Sequence, residues 1–288
     1  MLSYQHKFHA GNHADVFKHL TLIALMSKFN QKSKPYFYLD THAGEGKYPL
    51  SSVQIHQDEY AFNALSFSQD LAELKAYRKI FKKYKQNDEY PGSPAFAIEM
   101  AREQDNLHFN ELANDAFGDL KYFIHRTGSV HHRNAFEVLK GLMPPKPNRG
   151  MVLIDPPYED ADEYNQVHEA VCSALRKWPN GTFAIWYPLL ASRRINRKTK
   201  QLENTPKSGM SEQMVLSLAE AVECPMMDVT FNFTDNDGSV GMYGSGICII
   251  NPPFKVDASI REILSLLESE VAMNGVNQSS LTWLNPQL

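Results

Sequence analysis

Cysteine is scarce in this sequence: three residues lie far apart, and no two of them form a Cys-x-x-Cys pair. This pattern argues against a disulfide framework and a cysteine-based zinc site, and it fits a reducing cytoplasm. Apolar runs of the roughly 20 residues that span a bilayer are missing too, and the polar, histidine-rich N-terminus is unlike a secretory signal. We therefore expect a cytoplasmic protein without a membrane contact. With 288 residues, the chain can form one large domain or a domain that carries an insertion.

Charge of one sign does not dominate the sequence either. The formal net charge is −4 and the sequence pI is about 6.3, which argues against a protein that coats nucleic acid non-specifically. Two local stretches, 73–85 and 192–200, are nevertheless strongly basic. Each alone is most simply explained as the solvated face of a helix. Both become candidate nucleic-acid contacts if a base-binding site lies beside them.

Short strand-like runs alternate with segments of helical length. The predicted strands are 35–40, 106–112, 129–134, 151–155 and 182–188, and the predicted helices between the later ones are 115–125, 135–141 and 161–177. This alternation predicts an α/β fold, with a mostly parallel sheet and helices on both of its faces. Two further runs, 226–233 and 244–254, are joined by a Gly/Asp-rich segment with no room for a crossover helix. They predict an antiparallel hairpin that closes the sheet.

One connection in this pattern is too long. A strand-to-helix loop usually has roughly 2–6 residues, whereas residues 50–90 separate the first strand and its glycine turn from the next predicted helix. This segment is charged and helix-rich, so we predict a helical insertion at 50–90. The rest of the chain, 1–49 and 91–288, would then form one Rossmann-like unit. Within it, 1–34 is expected to cover the cofactor and substrate.

A glycine turn follows the first predicted strand in the sequence YLDTHAGEGKY, where Asp40 ends the strand and Gly44 opens a Gly-x-Gly pair. Glycines at this point let a ligand approach the backbone at the carboxyl edge of the sheet. A dinucleotide site would need a third glycine and a helix directly after it, and both are missing. The alternatives are a loop that holds the amino acid part of S-adenosylmethionine and a plain tight turn.

The next strand ends carry polar residues in a consistent order. Glu111 lies near the end of the second predicted strand, where a carboxylate can accept both ribose hydroxyls of an adenosine. Asn134 ends the third, placed to hydrogen-bond the adenine ring of the cofactor, and Asp155 ends the fourth. Each is weak evidence alone, since isolated acidic residues are usually solvated. Their order along successive strand ends predicts an S-adenosylmethionine site.

The fourth strand runs into the sequence Asp-Pro-Pro-Tyr at 155–158. An exocyclic adenine amine is a poor nucleophile because its lone pair is delocalised into the ring. Two acceptors on its hydrogens, Asp155 and the carbonyl of Pro156, would draw the nitrogen towards a tetrahedral shape. The prolines fix φ, so this carbonyl is held without reorganisation. Tyr158 is predicted to stack on the target base, a contact worth roughly 1–3 kcal/mol. The structural alternative is a strand stop with an aspartate cap.

A second Pro-Pro corner occurs in the sequence IINPPFK, beginning at Asn251. If this corner were the catalytic one, the strand that precedes the glycine loop would stand out of order along the chain. The corner at Asp155 needs no such permutation of the strand order. We therefore predict that Asn251 is a structural strand end.

The histidines near the N-terminus lack the Glu of a His-Glu-x-x-His site and a third ligand, so we expect no metal. Asn12 with Asp15 predicts a helix N-cap.

Six segments together resemble one known family. The sequences SYQHKFHAGNHADVFKH, YLDTHAGEGKY, YPGSP, LIDPPYE, WYP and INPPF are similar to those of the bacterial ribosomal RNA large subunit methyltransferase J family. The resemblance runs from Met1 to the C-terminus. It implies a class I S-adenosylmethionine-dependent methyltransferase fold with a small helical insertion, acting as a monomer. It also implies that the substrate is an adenine N6 amine of 23S rRNA.

The resemblance also implies site residues. The implied cofactor contacts are His19, His42, Ser93, Glu111, Asn134, Ala135 and Asp155. Asp155 is the implied catalytic residue and Tyr4 an RNA contact, with His6 and Lys18 near the substrate. At 134–135 this chain has Asn-Ala where family members have Asp-Gly. Residue chemistry alone leaves DNA adenine and protein glutamine amide as alternative acceptors, and a non-catalytic RNA-binding module as an alternative class.

Overall fold

The described part of the protein contains twelve strands and eight helices. The computed structural model describes residues 10–51, 64–196, 199–236, 241–271 and 278–286. The strands are β1 (Phe37–Asp40), β2 (Lys47–Pro49), β3 (Glu89–Pro91), β4 (Asn106–Asn110), β5 (Ser129–His131), β6 (Gly150–Ile154), β7 (Thr182–Leu190), β8 (Arg193–Ile195), β9 (Leu202–Asn204), β10 (Met226–Asn232), β11 (Met242–Ile250) and β12 (Gln278–Asn285). The helices are α1 (His13–Asn30), α2 (Ala72–Lys85), α3 (Ser93–Met100), α4 (Asn114–Ile124), α5 (Ala135–Leu142), α6 (Asp162–Lys177), α7 (Met210–Ala221) and α8 (Val256–Glu270).

Eight of these strands form one sheet in the order β12-β10-β11-β7-β6-β1-β4-β5. The five strands from β7 to β5 are parallel, and β11, β10 and β12 extend the sheet antiparallel. From β1 the chain adds strands first towards β4 and β5, and then on the other side at β6. The crevice between β1 and β6 is therefore the topological switch point, where ligands of such sheets bind at the carboxyl edge. The mostly parallel α/β sheet predicted from the sequence is confirmed.

Apolar layers cover both faces of the sheet. Helices α1, α2, α3 and α8 contribute to one core cluster, for example through Phe17, Tyr77 and Ile260, all of which are buried. Helices α5, α6 and α7 contribute to the other, on the opposite face. The side chain of Asn12 accepts the N–H of Asp15 at the start of α1, which confirms the predicted N-cap. Among the described residues, no helix is long and apolar enough to cross a bilayer.

The predicted antiparallel hairpin is present as β10 and β11, but it does not close the sheet. Strand β12 pairs with the outer side of β10 and forms the edge, from Asn232 opposite Gln278 to Met226 opposite Asn285. The sequence of β12 is mostly polar, so its pairing depends on β10 and not on an apolar pattern of its own. Within the predicted insertion, α2 packs its apolar face into the same core as α1. The division of the chain at 50–90 stays a prediction.

Candidate active site

The turn after β1 places its glycine against the end of β4. Gly44 has a φ of +59°, and its N–H donates to Oε2 of Glu111 at 2.9 Å. The other carboxylate oxygen of Glu111 accepts the N–H of Ala113 at 2.7 Å. A β-carbon on residue 44 would overlap Oη of Tyr48, which is itself buried. Two residues predicted to face the same ligand thus lie in contact, and only glycine fits the turn.

Asp40, the last residue of β1, has a fully buried carboxylate at the switch point. Ser93 donates its hydroxyl to Oδ2 at 2.7 Å, and the backbone N–H of His42 donates to Oδ1 at 3.3 Å. Burial raises the pKa of Asp40 to about 6; Ser93 opposes this shift and the charge of Asp155 adds to it. Ser93, predicted from the family resemblance, therefore reaches the site through Asp40. Asp40 itself was not among the predicted cofactor contacts.

Asp155 follows β6 directly and forms a buried ion pair. Nζ of Lys18 donates to Oδ2 of Asp155 at 2.6 Å and lies 2.9 Å from Oδ1 of Asp15. The side chains of Lys18 and Asp15 are 6% and 2% exposed, whereas that of Asp155 is 16% exposed. Burial works to lower the pKa of Lys18, but the two carboxylates hold it well above its usual range. Lys18 therefore stays charged, and Asp155 keeps an open side towards the surface.

Tyr158 does not present the open stacking face expected from the sequence. After the buried Pro156 the chain turns, and Tyr158 adopts a φ of +48°. Its ring is 2% exposed and stacks on Tyr164 with the centroids 4.5 Å apart. Its hydroxyl donates to the carbonyl of Trp186 on β7 at 3.0 Å. The two-proline turn directs this side chain back into the core, where it holds the corner against β7.

The other predicted cofactor residues have structural partners. Oδ1 of Asn134 accepts the N–H of Phe136 at 2.9 Å and so caps α5, while its amide NH₂ can donate to an adenine. Ala135 is buried at the start of this helix. The ring of His42 is 2.8 Å from the hydroxyl of Thr41, and burial lowers the pKa of His42 to about 4, so the ring is neutral at pH 7.

His19 is buried and not at the surface. It is 1% exposed, its Nδ1 is 3.1 Å from the hydroxyl of Tyr90, and its ring centroid is 4.5 Å from that of Phe96. Its role as a cofactor contact stays a prediction. Tyr4 and His6, the predicted RNA contacts at the N-terminus, lie outside the described residues.

The second Pro-Pro corner lies at the opposite end of the strands from Asp155, where the parallel strands begin. Strand β11 is antiparallel to β7 and ends with Ile250 opposite Phe183, at the beginning of β7. Asn251 then donates its side-chain amide to the carbonyls of Pro179 and Gly181 at 2.8 and 2.9 Å. These bonds fasten the turn that leads into β7. The position of Asn251, far from the glycine turn, agrees with its predicted structural role.

Known proteins with similar sequences cover the whole chain. A family model described as "Ribosomal RNA large subunit methyltransferase D, RlmJ" matches residues 33–285. Two proteins named Ribosomal RNA large subunit methyltransferase J, from Escherichia coli (strain K12) and Haemophilus influenzae, are 34% and 36% identical to this chain, with 100% of both chains covered in each case. The chain belongs to this ribosomal RNA methyltransferase family. The predicted family resemblance is thereby confirmed.

A solved structure supports the same assignment. Protein LPL1258 from Legionella pneumophila matches the methyltransferase with a TM-score of 0.78 and 31% sequence identity, covering 96% of this chain and 97% of that one. The methyltransferase has a Rossmann-like α/β fold, a mostly parallel sheet whose switch point lies between β1 and β6. Its substrate class is ribosomal RNA. At the carboxyl edge of the sheet, Asp40, the turn at Gly44 and Glu111 are the candidate residues for binding the S-adenosylmethionine expected from the sequence.

Replacing Asp40 by asparagine is expected to stabilise the methyltransferase at neutral pH. The folded pKa of about 6 lies above the ordinary value of 3.8, so the folded state binds the proton more tightly than the unfolded state. Stability is therefore lost as the pH rises through this window, and the cost is complete above pH 6. A shift of this size corresponds to about 3 kcal/mol. Asparagine resembles the protonated side chain and can still accept from Ser93.

Urea unfolding of the wild type and Asp40→Asn at pH 4 and pH 8 measures this effect. The free energy of unfolding should favour the variant by up to about 3 kcal/mol at pH 8 and by much less at pH 4. Taking the difference between the two proteins at each pH cancels the other titrating groups. An equal difference at both pH values would show that Asp40 is not the group that titrates. We also expect weaker cofactor binding in the variant, measured by calorimetry.

Proposed function

We propose that this methyltransferase transfers a methyl group to the exocyclic N6 amine of an adenine in 23S rRNA. The observation that carries the proposal is the position of Asp155. Its partly exposed carboxylate follows β6 at the switch point, beside the buried Asp40 at the end of β1. The N–H of Thr41 donates to the carbonyl of Leu153 at 3.0 Å, which joins the two strand ends. The cofactor turn and the candidate base-binding corner are therefore neighbours.

The residues of the corner suit an amine acceptor. Each carboxylate oxygen accepts more than one hydrogen bond, so Asp155 can accept from an amine while Lys18 stays bound to Oδ2. The other oxygen of Asp155, Oδ1, is not the one that Lys18 contacts, so it is the acceptor we assign to the amine. We assign the second amine hydrogen to the carbonyl of Pro156, held by the rigid turn. S-adenosylmethionine, when bound, supplies the electrophilic methyl group.

The remaining residues of the proposal hold the two ligands. We assign the ribose hydroxyls of the cofactor to Glu111, whose carboxylate is already oriented by two backbone N–H groups. His19, His42, Ser93, Asn134 and Ala135 stay proposed cofactor contacts, and Tyr4 and His6 stay proposed RNA contacts. Because its ring is enclosed, we assign Tyr158 to the shape of the corner, and a base can stack on it only after the ring leaves Tyr164.

Methyl transfer from tritiated S-adenosylmethionine tests the acceptor. Purified protein would be incubated in parallel with 23S rRNA fragments, with genomic DNA and with release factors that carry a glutamine acceptor. Nucleoside mass spectrometry of the RNA should show N6-methyladenosine as the labelled product. Label on another atom of the nucleoside, or only in DNA or protein, would overturn the proposal. A non-catalytic module would give no label and no calorimetric binding of the cofactor.

Two further expectations follow from this substrate. A ribosomal RNA methyltransferase works where ribosomes are assembled, which in bacteria is the cytoplasm. A single chain contains both halves of the proposed site, the cofactor turn at Gly44 and the corner at Asp155, so we propose that the monomer is active. Sedimentation of the protein during turnover would measure its oligomeric state.

A further inference from the structure

The segment after β7 forms a hairpin at the same end of the sheet as the candidate active site. Strand β6 ends with Ile154 opposite Ile185 of β7, and β7 continues to Leu190. This overhang carries the chain about 17 Å beyond the end of β6, at the same edge as Asp155. The hairpin of β8 and β9 follows directly, and the N–H of Thr205 donates to the carbonyl of Ser192 at 2.8 Å to close its base. We name the described residues of this segment, 192–196 and 199–204, the basic arm.

The base of the arm is attached to the Asp-Pro-Pro-Tyr corner. Lys207, just after the arm, donates from Nζ to the carbonyls of Tyr158 and of Glu159. Ser208 donates its hydroxyl to the carbonyl of Leu190 at 2.9 Å, which fixes the same segment to β7. The arm therefore has a defined position relative to Asp155. A strand bound along the base of the arm would lie next to the Asp-Pro-Pro-Tyr corner, because Lys207 joins the two.

The arm is strongly basic in a chain whose net charge is −4. Its sequence from 192 to 200, SRRINRKTK, has five basic residues and no acidic one. In the structure Arg193, Arg194 and Lys200 are exposed, and within the described residues none of the three takes part in an ion pair. The acidic residue of the arm, Glu203, accepts a hydrogen bond from Asn196 at 2.7 Å. These cations are free to bind an anionic partner.

The arm also exposes an apolar pair. Ile195 and Leu202 are opposite each other in the β8–β9 ladder, and they are 48% and 55% exposed. Arg193 is two residues before Ile195, so it points to the same face. A face that combines an arginine with two aliphatic side chains matches a nucleic acid strand, which offers a phosphate beside an apolar sugar and base edge.

We infer that the basic arm binds the RNA strand that flanks the target nucleotide, with Arg193, Arg194 and Lys200 on its phosphates and the Ile195–Leu202 pair against a neighbouring sugar or base. This inference rests on the proposed function, since it takes RNA as the substrate that enters at Asp155. The basic helix α2 is a natural comparison. Its exposed lysines Lys75, Lys79 and Lys82 carry the same total charge on a surface of the predicted insertion.

Two triple variants with equal charge change test the arm. One is Arg193→Gln, Arg194→Gln, Lys200→Gln, and the matched control is Lys75→Gln, Lys79→Gln, Lys82→Gln. Fluorescence anisotropy with a 23S rRNA fragment that the wild type methylates gives Kd at several salt concentrations. Three lost phosphate contacts on a single strand should lower the slope of log K against log salt by about 2. We expect at least a tenfold weaker Kd for the arm variant and less than a threefold change for the control.

Cofactor affinity and turnover show whether the effect belongs to the arm. Both variants should bind S-adenosylmethionine like the wild type, and the arm variant should raise KM for RNA while kcat at saturating RNA stays within about threefold. An unchanged Kd and salt slope in the arm variant would overturn the inference, and so would an equal loss in both variants, since that indicates a diffuse charge effect. The nucleoside product of the wild type tests the proposed function independently of these binding constants.

Discussion

Asp155→Ala should abolish methyl transfer to ribosomal RNA, with kcat reduced at least about a thousandfold, because it removes the acceptor that we propose for the reacting amine. The fold should survive this change. Lys18, which loses Asp155, keeps its contact of 2.9 Å with Asp15, so the buried ammonium remains paired. Single-turnover rates with saturating cofactor and RNA measure the effect on the chemical step, and calorimetry measures cofactor affinity separately.

The matched control for this variant is Asn251→Ala in the second Pro-Pro corner. It removes the donors to the carbonyls of Pro179 and Gly181 and should lower the free energy of unfolding by about 1–3 kcal/mol. Its kcat should stay within about threefold of the wild type, because Asn251 lies at the end of the strands opposite to Asp155. Full activity in Asp155→Ala together with an inactive Asn251→Ala would reverse the assignment of the two corners.

Gly44→Ala is expected to weaken S-adenosylmethionine binding at least tenfold. A left-handed φ costs an alanine about 1–2 kcal/mol, and the new β-carbon overlaps Oη of the buried Tyr48. Either the turn or Tyr48 has to move, and the turn holds the N–H that orients Glu111. Isothermal titration with the cofactor measures the loss.

Two companion variants separate the causes of this loss. Gly118→Ala, in α4, adds a β-carbon that meets no atom within 4 Å, so cofactor affinity should be unchanged and helix stability should rise slightly. Tyr48→Phe combined with Gly44→Ala removes the overlapping hydroxyl and should restore part of the affinity, leaving the cost of the left-handed backbone. If Gly44→Ala binds the cofactor like the wild type, the turn at Gly44 is not part of the cofactor site.

The meeting of strand-end residues could be predicted because parallel strands present their carboxyl ends at one edge. Gly44 and Glu111 follow different strands, yet they lie in hydrogen-bond contact. Asp155 likewise directly follows β6, which pairs with β1, so it lies at the same edge. The antiparallel hairpin could also be predicted, because the connection between its two strands is too short for a crossover helix. Local sequence patterns and chain connectivity were sufficient for these features.

Other features depend on contacts that sequence patterns do not encode. The ion pair between Lys18 and Asp155 joins residues 137 positions apart, so no local sequence pattern predicted it. The direction of the Tyr158 ring follows from a left-handed backbone after two prolines, which a motif does not specify. Strand β12 forms because β10 offers an unpaired edge. Each of these was decided by tertiary packing.

The burial of α1 has a practical consequence for fragments of the protein. The family match begins at residue 33, after this helix, but Phe17, Leu20 and Ile23 are completely buried in the main core. The same helix provides the only described cation within ion-pair distance of Asp155. A shortened chain that starts where the family match starts would expose the apolar surface that α1 covers on one face of the sheet. It would also leave the carboxylate of Asp155 without its counter-ion. The first residue of the family-model match is therefore not a position at which this protein can be cut.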